Sequence, residues 1–235
     1  MAGAGTTTPR ERYRAQVRAE VKERAWEQIA TAGASALSLN AIAKHMGMTG
    51  PALYRYFANR DELITELVRD AYRSLADGVC EARAAGADAA GLAHALREWA
   101  LADPQRYFLV YGTPVPGYHA PDDITAIASE IMGGLLDALN APDGLNSLDA
   151  GGDRSVERPA APLDARLDAH LADHRDWAAD HPAPPAVLHR ALAFWTRLHG
   201  ILSLELAGHF NGMGFDPARF YEAELADLLG RSTSA

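Results

Sequence analysis

The chain reads as an all-α protein, and three observations predict it. Apolar residues recur every four positions over long stretches, as in Tyr13, Val17, Val21, Ala25 and Ile29, or Leu63, Leu67, Ala71 and Leu75. No segment alternates apolar and polar residues with the period of two that a half-buried strand requires. Breaks such as Gly33, Gly47 and the HPAPP run at 181–185 punctuate the periodic stretches. With 48% hydrophobic residues among 235, there is material for a small head and a larger helical body.

Residues 1–9 read as a disordered tail, followed by a first helix from Arg10 to near Gly33. Its leading face carries Arg10, Arg12, Arg14 and Arg18. Residues 38–63, SLNAIAKHMGMTGPALYRYFANRDEL, then predict two short helices around a glycine turn. Ser38 is placed to cap the first of them, and Ile42, Ala43 and Met46 form its apolar stripe. Gly47 supplies the positive φ that ends it. Thr49 is placed to cap the next helix through its hydroxyl, and Pro51 falls in the first turn, where a missing N–H is tolerated. Leu53 and Phe57, four apart, point to a core, which leaves Tyr54, Arg55 and Tyr56 outward. Two exposed tyrosines flanking an arginine suit phosphates and base edges better than a core. The expectation is a helix-turn-helix.

These residues resemble the TetR (tetracycline-repressor-like) regulators. That family's signature runs Ile-Ala, Gly-Val-Ser, Leu-Tyr-x-His-Phe, Lys and Leu. It is matched here by Ile42-Ala43, Gly47-Met48-Thr49, Leu53-Tyr54-Arg55-Tyr56-Phe57, Arg60 and Leu63. Thr49, Tyr56 and Arg60 depart from it while keeping a hydroxyl, a polar aromatic tip and a positive charge. The resemblance implies docking in a major groove by Tyr54, Arg55 and Tyr56. Thr49, Gly50, Pro51 and Arg60, together with Ser38, Arg10 and Arg14, would lie toward the DNA backbone.

Beyond the motif, Asp61 is placed to cap a long helix reaching about residue 84. Further helices are expected at 89–102, 104–111 and 122–140, then a surface loop at about 141–162 and a polar helix at about 163–180. Two last helices are expected at about 185–210 and 216–229. The reading is thus a DNA-binding domain over 10–60 and a ligand-binding and dimerisation domain over 61–235.

Trp195, His199 and Gly200, with the run 103–118, resemble the tryptophan–histidine–glycine subgroup of TetR ligand-binding domains. Candidate cavity walls are Trp99, Tyr107, Phe108, Tyr111, Met132, Trp195 and His199, since ligand pockets are mostly apolar with few polar groups. A packing role for His199 stays open. Leu198, Ile201, Leu202, Leu204 and Leu206, with Leu225, make the 185–229 region apolar enough to need a protein cover. A homodimer through it would read two DNA half-sites.

Charge agrees with a divided chain. Eleven Lys and Arg against eight Asp and Glu give residues 1–76 a net +3, whereas the whole chain carries −9. Only the N-terminal third is suited to phosphate. The partners expected are therefore a double-stranded operator, a small-molecule effector and a second copy.

There is no apolar run long enough to span a membrane. MAGAGTTTPR lacks a secretory apolar stretch, and the lone Cys80 fits a reducing cytoplasm. His170 and His174, one turn apart beside acidic residues, keep open a metal-responsive sensor, and a pure interaction module is the other alternative. No nucleophile elbow, P-loop or dinucleotide fingerprint is present, so no catalytic residue, cofactor or resident metal is expected.

Overall fold

The computed structural model describes residues 8–112, 115, 117–141, 162–178 and 180–230. Its helices are α1 (Pro9–Ala32), α2 (Leu39–His45), α3 (Gly50–Leu53), α4 (Arg60–Ala84), α5 (Ala89–Ala102), α6 (Pro104–Tyr111), α7 (Asp122–Asn140), α8 (Pro162–Asp173), α9 (Pro185–Leu206) and α10 (Pro217–Leu228). Single 3₁₀ turns lie at Ala34–Ala36 and Asp176–Ala178, and no strand occurs among the described residues. The fold is all-α, as the periodicity predicts.

Helix ends follow from local chemistry. α1 opens one residue before the expected Arg10, because Thr8 and Glu11 cap each other. The Glu11 amide donates to Thr8 Oγ1 at 3.3 Å and the Thr8 amide to Glu11 Oε2 at 2.8 Å. Of the expected tail, residues 1–7 lie outside the described residues. The cap expected of Asp61 belongs to Asn59 instead. Asn59 Oδ1 accepts from the Glu62 amide at 2.8 Å, and Asp61 sits inside the first turn of α4. The reason is spacing, since a capping side chain bonds the amide three residues on.

The polar helix expected to reach about 180 stops at Asp173. His174 turns its own ring Nδ1 to the His170 carbonyl, 2.9 Å away, which is the acceptor the next helical amide would use. α9 stops at Leu206, short of 210, where Gly208 takes φ +77°. Apart from Ala141 and Pro162, the loop expected at 141–162 lies outside the described residues.

The chain divides into two units by compactness: Met1–Ala71 with Gln105–Pro121, and Tyr72–Pro104 with Asp122–Ala235. In the first, the four-spaced face of α1 (Val17, Val21, Ala25, Ile29) is buried with Leu39, Ile42, Leu53, Phe57, Leu63 and Leu67. α6 belongs to this unit, and Arg106 stacks over the Trp26 ring of α1 at 5.7 Å. In the second unit α9 is the hub, touching α5, α7, α8 and α10. Tyr221 of α10 is wholly buried, and its hydroxyl donates to the Ala93 carbonyl at 2.8 Å. Each large side chain buried this way contributes about 1.5–3 kcal/mol.

Candidate nucleic-acid interface and ligand cavity

The helix-turn-helix is built from short bonds inside the first unit. Ser38 Oγ accepts from the Ala41 amide at 3.3 Å, so Ser38 caps α2 as expected. Gly47 adopts φ +65°, and the Met48 amide then reaches back to the Ala43 carbonyl at 2.8 Å. α2 and α3 come close enough that a Cβ on Gly50 would lie 3.3 Å from Asn40 Oδ1. Thr49 stands at the start of α3 but makes no side-chain cap, contrary to expectation. Pro51 has no N–H to give, and the Ala52 amide is already bonded to the Thr49 carbonyl at 3.0 Å. The exposed Thr49 hydroxyl is therefore not committed to the helix.

Leu53 and Phe57 are fully buried, and this fixes what faces out. Tyr54 is 43% exposed, Arg55 and Pro51 are exposed, and Tyr56 is half-buried. Arg14 of α1 donates to the Arg55 carbonyl at 3.2 Å and lies 5.9 Å from the Tyr56 ring centre. Arg18 donates to the Tyr56 carbonyl, stacks over Phe57 at 4.1 Å, and pairs with Glu62 and Glu66 at 3.6 and 3.4 Å. The outward segment is thus braced from behind by cations of α1. Among the described residues, no ion pair neutralises Arg10, Arg12, Arg14 or Arg55. Arg10 is exposed at the start of α1.

Arg60 is turned inward, away from the phosphate role that the resemblance implied. Its Nε donates to the Leu37 carbonyl at 3.2 Å, and its Nη2 to the Ala34 and Ser35 carbonyls at 2.9 and 3.3 Å. Those carbonyls lie in and just after the 3₁₀ turn, where the Ala34 carbonyl also accepts from the Leu37 amide at 3.3 Å, so the guanidinium fork ties that turn to α4.

The second unit contains a cavity of about 20 Å³. Four helices each supply a pair of side chains four residues apart: Leu75 and Val79 from α4, Leu92 and Leu96 from α5, Ile131 and Leu135 from α7, Phe194 and Leu198 from α9. Ala93 and Trp195 complete the wall. Of the seven expected wall residues, only Trp195 lines this cavity. Trp99 is turned away, its indole N–H donating to Ser74 Oγ at 3.2 Å. Met132 is buried in the same unit without reaching the wall. Tyr107, Phe108 and Tyr111 lie on α6 in the first unit, where Tyr107 meets the other two rings at 5.6 and 5.4 Å. Phe108 instead lines a groove with Ile29, Gly33 and Leu109.

The His199 ring lies tilted at 52° against Trp195 with ring centres 4.1 Å apart, and Gly200 follows with open space around it. Desolvation pulls the His199 pKa down to about 4, so the ring is neutral near pH 7. His170 and His174 stack face to face at 4.1 Å, one ring nitrogen being engaged with a carbonyl. Among the described residues, no three His, Cys, Asp or Glu side chains gather in a metal-holding group. No described helix is long and apolar enough to cross a membrane.

Residues 23–67 match the family model for bacterial regulatory proteins of the tetR family, and 89–228 match that for the tetracyclin repressor-like C-terminal domain. The HTH-type transcriptional regulators Rv1816 of Mycobacterium tuberculosis and Mb1846 of Mycobacterium bovis are each 36% identical over 224 residues, covering 92% of this chain and 92% of theirs. The crystal structure of SCO4313 is 67% identical, with a TM-score of 0.80, and the match covers 95% of this chain and 100% of that one. A protein of unknown function from Rhodococcus sp. RHA1, 19% identical with a TM-score of 0.61, shares the fold. The helix-turn-helix in the first unit and the helical body matched along most of its length make this chain a member of the TetR family of DNA-binding transcriptional regulators, not an enzyme.

Proposed function

We propose that this regulator is a ligand-responsive repressor that binds a palindromic operator as a homodimer. The observation that carries the DNA step is the outward Tyr54-Arg55-Tyr56 segment, held by Leu53 and Phe57 beneath it and by Arg14 and Arg18 behind it. Tyr54, Arg55 and Tyr56 read the major groove. Arg10, Arg14, Ser38, Thr49, Gly50 and Pro51 lie nearer the phosphates. A single head makes too few contacts to select a site, and two heads related by a two-fold axis select a palindrome.

The dimer uses α9 and α10. Leu198, Ile201, Leu202 and Leu225 are already buried within the chain, but Leu204 is 45% exposed and Phe220 37% exposed. Thr196, Gly200 and Ser203 run along α9 as a small-residue stripe, continued by Ala207 just past its end, where another helix can approach closely. An effector bound in the second unit shifts the population toward a conformer whose heads no longer match the half-sites. It does so only through its difference in affinity for the two states. A few kcal/mol of such difference is enough to empty the operator. The setting is the cytoplasm, where bacterial DNA lies.

The test is selection of bound sequences from random duplex DNA at two salt concentrations. The expected result is a palindromic site with steep salt dependence, and Arg55→Ala weakening binding by about 1–3 kcal/mol at the base it reads. No enriched site, or an Arg55→Ala, Tyr54→Ala protein that binds the site undiminished, overturns the DNA step.

A further inference from the structure

We infer that the groove between the end of α1, the 3₁₀ turn at Ala34–Ala36 and α6 is a small-molecule site within the DNA-reading unit. It takes an uncharged two-ring aromatic molecule with one hydrogen-bonding group, and its occupancy is felt by the helix-turn-helix. Its place in the first unit sets it apart from any effector held by the second, so it goes beyond the reading above.

Size admits such a guest. The groove encloses about 290 Å³. That is the share of about ten liquid waters, at the lower edge of the volumes that small-molecule sites occupy. Two fused aromatic rings with one substituent suit the space, whereas a single ring leaves much of it to water. The backbone itself keeps the groove open. Gly33 lies on the wall at φ +78°, and a Cβ built there would meet nothing within 4 Å.

The wall decides the chemistry. Ile29 is buried and Phe108, Leu109 and Val115 are half-buried, and all four present hydrocarbon to the groove. The Phe108 ring is set by its edge contact with the wholly buried Tyr107 at 5.6 Å, so an aromatic guest meets a ring already in place. Gln105 and Ser35 add an amide and a hydroxyl. Among the described residues that line the groove, none carries a charge. Arg60 spends its guanidinium on the carbonyls of the turn, and Arg106 of α6 stacks on Trp26. A charged guest would lose hydration and find no counter-ion. A neutral one buries its rings and hands its polar group to the Gln105 amide.

The position gives a guest something to act on. Ala34 and Ser35 line the groove, and Arg60 of α4 holds their carbonyls. The same turn leads to Ser38, whose hydroxyl caps α2 and whose amide is bonded to Gln28 of α1 at 3.0 Å. α2 in turn meets α3 where Asn40 faces Gly50. Filling the groove therefore bears on the turn that sets where α2 begins, and through α2 on the outward segment.

Binding to the full chain is measured by calorimetry with 2-naphthol, neutral at pH 7, and with 2-naphthoate, its anionic counterpart. 2-Naphthol is expected to saturate at one per chain, with 2-naphthoate weaker by at least ~10-fold. Ala32→Trp swings a large ring into the groove from an exposed position at the end of α1, so the chain stays folded and 2-naphthol is expected to weaken by at least ~10-fold. Gln105→Leu keeps the size and removes the amide, with an expected loss of ~3–10-fold. 2-Naphthoate binding as tightly as 2-naphthol overturns the proposal. So does 2-naphthol that fails to saturate, or one indifferent to Ala32→Trp in a chain whose melting temperature is unchanged. Undiminished binding to Gln105→Leu overturns the hydrogen bond assigned to that amide.

The selected operator reads the link to the helix-turn-helix. Saturating 2-naphthol is expected to change operator affinity by at least ~5-fold, and Ala32→Trp to remove that response. Operator affinity indifferent to bound 2-naphthol overturns the link. The binding measurements need no operator, so this site and the repressor reading fail separately.

Discussion

His199 shows what burial decides at a single residue. Four residues after Trp195 on the same helix, its ring lies tilted against that ring, and desolvation lowers its pKa to about 4. The folded state therefore holds the ring neutral where the unfolded chain, with an ordinary value near 6.5, takes up a proton. Stability from this group is complete above about pH 6.5 and is lost as pH falls toward 4, by about 2–3 kcal/mol in all. A melting-temperature profile from pH 7.5 to 4 should fall less steeply in His199→Gln than in the natural chain, and parallel profiles would refute the assignment. This ring pair is legible in the sequence, because side chains four apart on a helix meet. The other cavity walls are not. The expected walls are mostly aromatic, whereas the space is bounded mainly by aliphatic pairs. The signal available was the four-residue pairing itself, recurring on α4, α5, α7 and α9.

At the scale of elements, the sequence was most reliable where periodicity and punctuation agreed. α5, α6 and α7 begin and end where expected, and Gly47 and Ser38 do the work that their types suggest. It was least reliable where two local groups competed for one amide or carbonyl, as Thr49, Asp61 and His174 illustrate. Arg60 is the sharpest case. A positive charge at the motif's edge suggests phosphate, but three carbonyls in and just after the 3₁₀ turn lie within its reach. Arg60→Lys separates the roles. The substitution keeps the charge and loses the planar fork, so an internal tie predicts a stability loss of about 1–3 kcal/mol by urea unfolding. An unchanged unfolding midpoint would return Arg60 to the phosphates.

The whole molecule carries its charge unevenly, +3 in residues 1–76 within a total of −9, so that attraction to DNA is confined to one part of the chain. The dimer proposed for α9 and α10 makes a matching prediction. Leu204→Lys replaces a side chain already 45% exposed, so the subunit should stay folded while self-association weakens by at least ~10-fold. Sedimentation equilibrium reads this directly, and an unweakened dimer would place the interface elsewhere.

The path of the chain through its two units has a consequence for how such a protein can be altered. The chain passes from one unit to the other at Ala71, again at Pro104 and again at Pro121. The first of these crossings falls in the middle of α4, where a cut would strip several turns of their continuing hydrogen bonds. A head excised as the first seventy-one residues would also lack Gln105–Pro121, including the Arg106 that stacks on Trp26. Grafting a new reading head onto this body is therefore a three-junction operation, and any hybrid that swaps only the N-terminal third inherits a foreign α6.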